Sequence, residues 1–348
     1  MTYFMPRLFA FSPILSLSLS LALVASGAAA DPAGYKAFTV YAPHHQRDME
    51  GAVWYPADGE GRSAVFAENP IFYGVDIVED APVLEGLHPV VVLSHGMGGT
   101  VRSLAWLASG LAEQGAVVIS VNHPNSTWGD FDLAANLHHW TRVQDLSLAL
   151  DTVMADPEFA GHLDTNRVMV AGFSYGGWTA LSMGGLRGNR AGYIAHCDSY
   201  GAASVHCGDV QAAGLDLTDV DETAWNASYA DPRITHVSAI DPGLVWGVDS
   251  ADVAGLSEHT RLIGLGSGAD RLLATDFDTS GFAVLLPDAR IDRIVPATHF
   301  SAMPLCKPMG AAILAEEQDD PVCTDPDGTD RAQVHTEIID HIWADLSR

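Results

Sequence analysis

The sequence predicts an α/β protein built on a doubly wound, mostly parallel β-sheet. Three observations lead to this prediction. Short, continuous apolar runs alternate with longer segments of helical periodicity, as in a parallel sheet covered by helices on both faces. A glycine-rich turn with a central serine joins one such run to a helix-compatible segment at 172–176. Apolar residues make up 48% of the 348-residue chain, which is enough for a sizeable core.

The predicted elements begin with two short strands and continue with buried strands and helices. Segments 38–41 and 51–55 look like an edge hairpin, and 59–87 has no clear pattern. The apolar runs that we expect to be buried strands are 89–93, 116–121, 168–171, 234–240, 260–265 and 290–295. The segments of helical periodicity are 103–114, 135–155 and 331–346. Segment 187–232 is rich in Gly, Asp, Ala and Cys without periodicity, so we expect a cap insertion over the carboxyl ends of the strands.

The first thirty residues have the pattern of a secretory signal peptide. Arg7 supplies a positive charge, 15–24 is apolar with serines, and 28–30 is an alanine cleavage motif. We therefore expect cleavage after Ala30, a secreted or periplasmic location, and a single domain over 31–348. The apolar stretch is too short for a good membrane span. The residue directly after the cleavage motif is not a cysteine, so the chain does not have the pattern of a lipid-anchored lipoprotein. We therefore expect no stable membrane anchor.

The charge balance restricts the partners of this chain. It carries 44 acidic against 17 basic residues, a formal net charge of −27, and the basic residues form no cluster. Such a surface repels nucleic acid and anionic membranes, so neither is an expected partner. The same surface keeps an exported protein soluble.

The four cysteines predict two disulfides, because an even count in an exported chain favours pairing. Three pairings are open. We favour Cys197–Cys207 and Cys306–Cys323, since each pair lies within one irregular segment and would hold a loop. A zinc site is the alternative, but no Cys-x-x-Cys spacing occurs.

The turn at 172–176 reads Gly-Phe-Ser-Tyr-Gly and has the Gly-x-Ser-x-Gly pattern of a nucleophile elbow. The change from strand to helix is so sharp that the positions two before and two after the serine cannot carry a side chain. We expect Ser174 to lie in a strained conformation at the head of a helix, where the helix dipole favours developing negative charge.

A serine nucleophile needs a base and an acid that orients the base. Among fifteen histidines, His299 follows the last predicted strand and is the expected base. Asp270 follows the penultimate strand and is the preferred acid. Asp241 ends the strand before it and is the alternative. For the oxyanion hole we expect the backbone amides of Tyr175 and of Met97, which lies in a glycine-rich loop after an early strand.

Further motifs support a family resemblance. They are VWYP at 53–56, LSHGMG at 93–98, NHP at 122–124, GFSYGG at 172–177, AIDP at 239–242 and THF at 298–300. With them the chain resembles the serine α/β-hydrolases, in particular predicted dienelactone hydrolases and the platelet-activating-factor acetylhydrolase group. The resemblance implies the α/β-hydrolase fold. True dienelactone hydrolases use a cysteine nucleophile, so that name does not predict the substrate.

The same resemblance leaves the acid open. Acetylhydrolases of this group take it from the position that Asp241 matches, whereas most α/β-hydrolases take it from the one that Asp270 matches. The histidine pairs at 44–45 and 138–139 invite a metal interpretation. Neighbouring side chains point apart on a strand or helix, and no carboxylate or histidine four residues away forms a ligand-like pattern with them. We therefore interpret them as solvated or cleft-rim residues and expect no metal and no cofactor.

The predicted function is that of an exported serine hydrolase that cleaves small-molecule or polymeric carboxylic esters through an acyl-enzyme. Cleavage of polyesters, phospholipid acyl groups or amides by the same triad is the alternative. A hydrolase-like binding protein without catalysis is less favoured, because every part of the machinery is present in the sequence.

Overall fold

The computed structural model describes residues 1–4, 31–59 and 61–347. The chain divides into two units, Met1–Ala30 and Asp31–Arg348. The signal peptide and its cleavage after Ala30 fall outside the described residues and stay a prediction.

The elements of the second unit alternate along the chain. Its strands are β1 (Ala33–Ala42), β2 (Arg47–Tyr55), β3 (Arg62–Phe66), β4 (Val75–Glu79), β5 (His88–Ser94), β6 (Val117–Val121), β7 (Ser126–Thr127), β8 (Asp130–Phe131), β9 (Leu163–Phe173), β10 (His236–Ile240), β11 (Thr260–Leu265) and β12 (Arg290–Ile294). Its α-helices are α1 (Ala105–Gln114), α2 (Leu133–Asn136), α3 (Trp140–Ala155), α4 (Tyr175–Met183), α5 (Arg190–Tyr200), α6 (Val205–Ala212), α7 (Glu222–Trp225), α8 (Gly310–Glu317) and α9 (Arg331–Leu346). Among the described helices, none is long and apolar enough to cross a membrane.

Ten strands form one sheet in the order β12-β11-β10-β9-β5-β6-β2-β1-β4-β3. The strands from β12 to β6 all run parallel to their neighbours. Beyond them β2 pairs antiparallel with β6, and β1 pairs antiparallel with β2. The predicted α/β class and mostly parallel sheet are confirmed.

The sheet has a core on each face, as its central strand β5 illustrates. Val90 and Val92 belong to a buried cluster that includes residues of α3 and α4. Val91 and Leu93 belong to a second cluster with residues of α1 and α9. Because successive side chains of a strand point to opposite faces, a continuous apolar run is what a sheet covered on both sides requires.

The amino-terminal part of the sheet differs from the prediction. The hairpin of β1 and β2 forms, but it does not lie at the edge, because β4 pairs with β1 and β3 lies beyond it. Segment 59–87, expected to be irregular, contains both of these strands. They are only five residues long and partly exposed, and such short strands give a weak periodic pattern.

Segment 187–232 contains three helices rather than an irregular cap. A disulfide between Cys197 and Cys207 joins α5 to α6. Gly192 of α5 approaches the loop after β10 so closely that a Cβ on it would lie 2.1 Å from the carbonyl oxygen of Gly247. The segment therefore packs on that loop, and its role as a cap over the site stays a prediction. The second predicted disulfide, Cys306–Cys323, is also present.

Candidate active site

The nucleophile elbow forms where β9 ends and α4 begins. Ser174 lies between the two elements with φ 58° and ψ −120°, a backbone conformation that L-residues rarely adopt. A Cβ on Gly172 would lie 2.1 Å from the carbonyl oxygen of Gly176, and one on Gly176 would lie 2.0 Å from that of Ser94. The sharp turn therefore requires both glycines, and it leaves the Ser174 side chain partly accessible at the head of the helix.

His299 reaches the serine from the loop after β12. Its Nε2 lies 3.1 Å from Ser174 Oγ, so the hydroxyl is placed to donate to the imidazole. The Thr298 amide donates to Ser301 Oγ at 2.9 Å and the Ser301 amide donates to the Thr298 carbonyl at 2.9 Å, and these bonds hold the short 3₁₀ turn that begins at His299. The imidazole also packs 4.6 Å from the Phe173 ring, centroid to centroid. The structure thus brings together the two residues predicted as nucleophile and base.

The carboxylate that meets His299 is that of Asp241, not that of Asp270. His299 Nδ1 lies 2.5 Å from Asp241 Oδ2. Asp270 lies in an exposed 3₁₀ turn after β11, so the preference for Asp270 is corrected. The physical reason lies in the strand order: β10 is the direct neighbour of β9, so the residue that ends β10 lies nearer the elbow than the loop after β11.

The loop after β11 supports the carboxylate instead of supplying it. Arg271 forms an ion pair with Asp241 Oδ1, the Leu265 amide donates to the same oxygen at 3.1 Å, and the Thr275 hydroxyl donates to Oδ2 at 2.8 Å. Complete burial by itself would raise the pKa of Asp241. The hydrogen bond from His299 and the charge of Arg271 outweigh burial and hold that pKa below its usual value.

The loop after β5 passes directly against the nucleophile. A Cβ on Gly96 would lie 3.2 Å from the Cβ of Ser174. The Gly98 amide donates to Ser126 O at 2.9 Å, which holds the loop in place. Within the described part of the chain, neither the Met97 amide nor the Tyr175 amide donates to a protein acceptor. Both residues adjoin the nucleophile along the chain or in space, since Tyr175 follows Ser174 and Met97 follows Gly96.

A buried arginine beneath this loop was not singled out from the sequence. Arg142 of α3 is 2% exposed, and it donates to the Ser94 hydroxyl at 3.2 Å and to the His95 carbonyl. Its Nε donates to Thr179 Oγ1 of α4 at 3.0 Å. Burial lowers the pKa of Arg142 to about 10. Arg142 and Asp145 are charged residues three positions apart on the apolar face of α3, a pattern from which sequence reasoning could have found them.

Asp145 forms the centre of a second polar cluster. Its Oδ2 accepts a hydrogen bond from His123 Nδ1 at 2.8 Å, and His123 Nε2 lies 2.9 Å from Ser94 Oγ. The imidazoles of His44 and His45 both contact Oδ1.

The expectation of solvated or cleft-rim histidines therefore needs correction. It fits His138 and His44, both of which are exposed. His139 is buried and bonds to the Trp225 carbonyl at 3.1 Å. The residues at 44 and 45 are bound to a carboxylate from a distant part of the chain, which no local pattern reveals.

Comparisons with known proteins give distant relatives. No family model matches the chain. A bis(hydroxyethyl) terephthalate hydrolase of Streptomyces coelicolor is 27% identical over 202 residues, which cover 58% of this chain and 52% of the relative. A cutinase of Thermobifida fusca is 30% identical over 171 residues, covering 46% of this chain and 51% of the relative. The matches thus span about half the length of these curated relatives.

A solved structure extends the comparison to nearly the whole chain. A ferulic acid esterase from Streptomyces cinnamoneus superposes with a TM-score of 0.58 and 15% sequence identity, and the alignment covers 93% of this chain and 92% of the esterase. Sheet order, elbow and this superposition together define the α/β-hydrolase fold. At this identity the likeness concerns the fold alone.

Proposed function

We propose that this protein is an exported carboxylic-ester hydrolase that acts through an acyl-enzyme on Ser174. The observation that carries the proposal is the hydrogen-bonded chain from Ser174 through His299 to Asp241 at a strained elbow. The cutinase and terephthalate-ester hydrolase relatives support ester cleavage. A non-catalytic binding protein would have no use for this combination of nucleophile, base and acid.

The proposed reaction follows from the geometry. His299 Nε2 takes the hydroxyl proton as Ser174 Oγ forms a bond to the ester carbonyl carbon, and the imidazolium then donates that proton to the departing alcohol. Water, deprotonated by the same imidazole, then attacks the acyl carbon; the bond to Oγ breaks, the imidazolium returns its proton to Ser174 Oγ and the carboxylic acid leaves. Asp241 accepts from Nδ1, which keeps Nε2 free to accept and stabilises the imidazolium.

The developing oxyanion requires donors that are already oriented. We propose the amides of Met97 and Tyr175, because both are unengaged and lie on either side of Ser174. The head of α4 adds its dipole at the same point. No cofactor enters this mechanism, since nucleophile, base, acid and donors all belong to the chain.

A fluorophosphonate probe tests the proposal directly. The purified protein should be labelled at Ser174 and should hydrolyse p-nitrophenyl esters, and Ser174→Ala should do neither. A folded wild-type protein that reacts with neither the probe nor any ester in a panel of acyl lengths would support the binding-protein alternative. Including phospholipids and acyl amides in the panel separates the other chemistries of the same triad.

A second candidate substrate is an aromatic polyester. The relatives include a hydrolase of a terephthalate ester. An open groove of about 1080 Å³ adjoins the loop that carries Met97, because Thr100 and Thr127 line the groove and Thr127 pairs with Gly98 of that loop. Trp128 lines the same groove and is 81% exposed. Exposed aromatic rings in a groove can stack on aromatic units of a polymer chain.

Trp128→Ala tests this candidate. It should slow hydrolysis of a terephthalate polyester film several-fold while leaving p-nitrophenyl acetate hydrolysis unchanged. Tyr73→Ala, at an aromatic residue that is 49% exposed outside this groove, is the matched control. Equal rates on the film for wild type and Trp128→Ala would remove the groove from the proposal.

Export is tested separately. Expression of the full chain in a bacterial host should give a released or periplasmic protein whose amino-terminal residue is Asp31. Retention in the cytoplasm with Met1 intact would contradict the predicted signal peptide without affecting the catalytic proposal.

A further inference from the structure

Two adjacent histidines converge on one buried carboxylate in the turn between β1 and β2. His44 Nε2 lies 2.7 Å and His45 Nε2 lies 3.0 Å from Asp145 Oδ1 on α3. Side chains of adjacent residues on a strand point to opposite faces, but 43–46 is a turn and Gln46 has φ 54°. The two imidazole rings therefore lie on the same side, with centroids 4.5 Å apart.

The three donor atoms are close enough to share a cation. The two Nε2 atoms and a carboxylate oxygen all lie within 4.8 Å of one another. Zn²⁺ binds imidazole nitrogen and carboxylate oxygen at about 2.0–2.2 Å, which separates neighbouring ligand atoms by roughly 3.3 Å in a tetrahedral site. The separations of 2.7 and 3.0 Å from Oδ1 therefore need to open by roughly 0.6 and 0.3 Å.

The surroundings keep this carboxylate available. In residues 31–59 and 61–347, no lysine or arginine side chain pairs with Asp145. The other carboxylate oxygen, Oδ2, is held by His123 Nδ1 at 2.8 Å. A hydrogen-bonded outer partner of this kind fixes a ligating group in one orientation and is typical of protein metal sites.

The three side chains of the cluster differ in their exposure to solvent. The Asp145 side chain is fully buried, that of His45 is 6% exposed and that of His44 is 20% exposed. The cluster is therefore most accessible at His44, on the side of the turn. An ion would enter from this side, and a water ligand would lie there.

We propose that His44, His45 and Asp145 form a Zn²⁺ site that joins the β1–β2 turn to α3. To bind the ion, each neutral imidazole must change tautomer: Nε2 loses to solvent the proton that it now donates to Oδ1, Nδ1 takes one up from solvent, and the Nε2 lone pair then faces the ion. Water completes the coordination. Imidazole nitrogen with a single carboxylate suits Zn²⁺ and the neighbouring late transition metals, whereas Ca²⁺ and Mg²⁺ require more oxygen ligands.

The site is tested by zinc binding to untagged protein, because a histidine tag would bind the metal itself. Protein stripped with EDTA and dialysed should take up one Zn²⁺ per chain in calorimetry and in elemental analysis, and Zn²⁺ should raise the unfolding temperature. Ca²⁺ and Mg²⁺ at the same concentration should leave it unchanged. Binding should be independent of the Ser174 chemistry, so the Ser174→Ala protein should take up the same amount.

Alanine substitutions of single histidines provide both the test variants and their matched control. His44→Ala and His45→Ala should each weaken zinc binding by more than about tenfold. His138→Ala, which removes an exposed histidine from the other adjacent pair, should bind as the wild type does. Wild-type protein that binds no zinc at micromolar concentration, or equal binding by wild type and His44→Ala, overturns the proposal.

His44 is partly exposed, so its loss leaves the core intact and the test does not depend on a variant that fails to fold. The unfolding temperature of metal-free His44→Ala, measured alongside, establishes that its fold is retained. Failure of zinc binding also leaves the proposed esterase function untouched, because neither histidine contacts Ser174, His299 or Asp241.

Discussion

The molecule contains two chains of hydrogen bonds with the same residue types, one at the elbow and one beneath it. In the first, Asp241, His299 and Ser174 are linked at 2.5 and 3.1 Å. In the second, Asp145, His123 and Ser94 are linked at 2.8 and 2.9 Å. The distances alone do not distinguish a catalytic triad from a structural network.

The surroundings of the two serines make the distinction. Ser174 lies at the head of a helix, partly accessible, with free backbone amides on either side. Ser94 ends a central strand, is 0% exposed, and its oxygen already accepts a hydrogen bond from Arg142. No substrate reaches Ser94, and no oxyanion could form there without displacing the core.

The histidine of the buried network is unsuited to general-base catalysis. A general base must carry a proton during the reaction. Burial, reinforced by the nearby charge of Arg142, lowers the pKa of His123 to about 4 despite its hydrogen bond to Asp145. The reactive serine is therefore distinguished from the buried one by its accessibility and by its position at the head of a helix, not by the hydrogen bonds alone.

The largest expected effect comes from exchanging the serines for alanine. Ser174→Ala should lower kcat for a neutral ester by about 10⁶, the typical cost of losing the nucleophile of such a triad. Ser94→Ala should lower kcat by less than about tenfold, although it removes a partner of Arg142. Steady-state kinetics on both variants, with thermal unfolding as a check of the fold, test this prediction. A loss of catalysis in Ser94→Ala at unchanged unfolding temperature would contradict the assignment of Ser94 to a structural network.

The acids give the next largest effect. Asp241→Asn should lower kcat by about 10⁴, because an amide cannot hold the histidine in the required tautomer or stabilise the imidazolium. Asp270→Asn, in an exposed turn, should leave kcat within about twofold and serves as the matched control. If Asp270→Asn shows the greater loss at equal unfolding temperature, the assignment of the acid from the structure is wrong.

These two acids show where sequence reasoning reached its limit. The elbow is a local pattern and His299 follows the last strand, so both can be predicted from neighbouring residues. The bounds of β11 and α9 agree with the prediction for the same reason. Asp241 and Asp270 each follow a strand, and the choice between them depends on which strand lies beside β9. That order is set by packing across the whole sheet.

The same limit explains the cluster around Asp145. Its carboxylate meets residues 22, 100 and 101 positions away along the chain. The sequence shows only a charged pair, Arg142 and Asp145, on an otherwise apolar helix face. The predicted separation of adjacent histidines assumed a regular strand or helix, whereas His44 and His45 lie in a turn.

Arg142 should couple the buried network to catalysis as a positioning residue. Arg142→Lys keeps a charge but loses the planar fork that serves Ser94, His95 and Thr179 together, so the loop carrying Met97 should lose its fixed position. We expect kcat to fall by about tenfold to hundredfold with little change in KM. The kcat and KM values separate this from a purely structural role: a lower unfolding temperature with wild-type kcat would show that the loop is held by other contacts.

The smallest expected effect is a pH dependence of stability that a buried histidine produces. Complete burial lowers the pKa of His139 to about 4 even though the Trp225 carbonyl opposes the shift, and its Nδ1 has no hydrogen-bond partner. The unfolded chain binds this proton near pH 6.5 and the folded chain only near pH 4, so the free energy of unfolding should decrease as the pH falls between these values. The contribution is of the order of a few kcal/mol. Urea unfolding at several pH values should show a shallower slope for His139→Phe than for wild type, with His138→Ala unchanged, and identical slopes for all three proteins would exclude His139 as a source of the acid sensitivity.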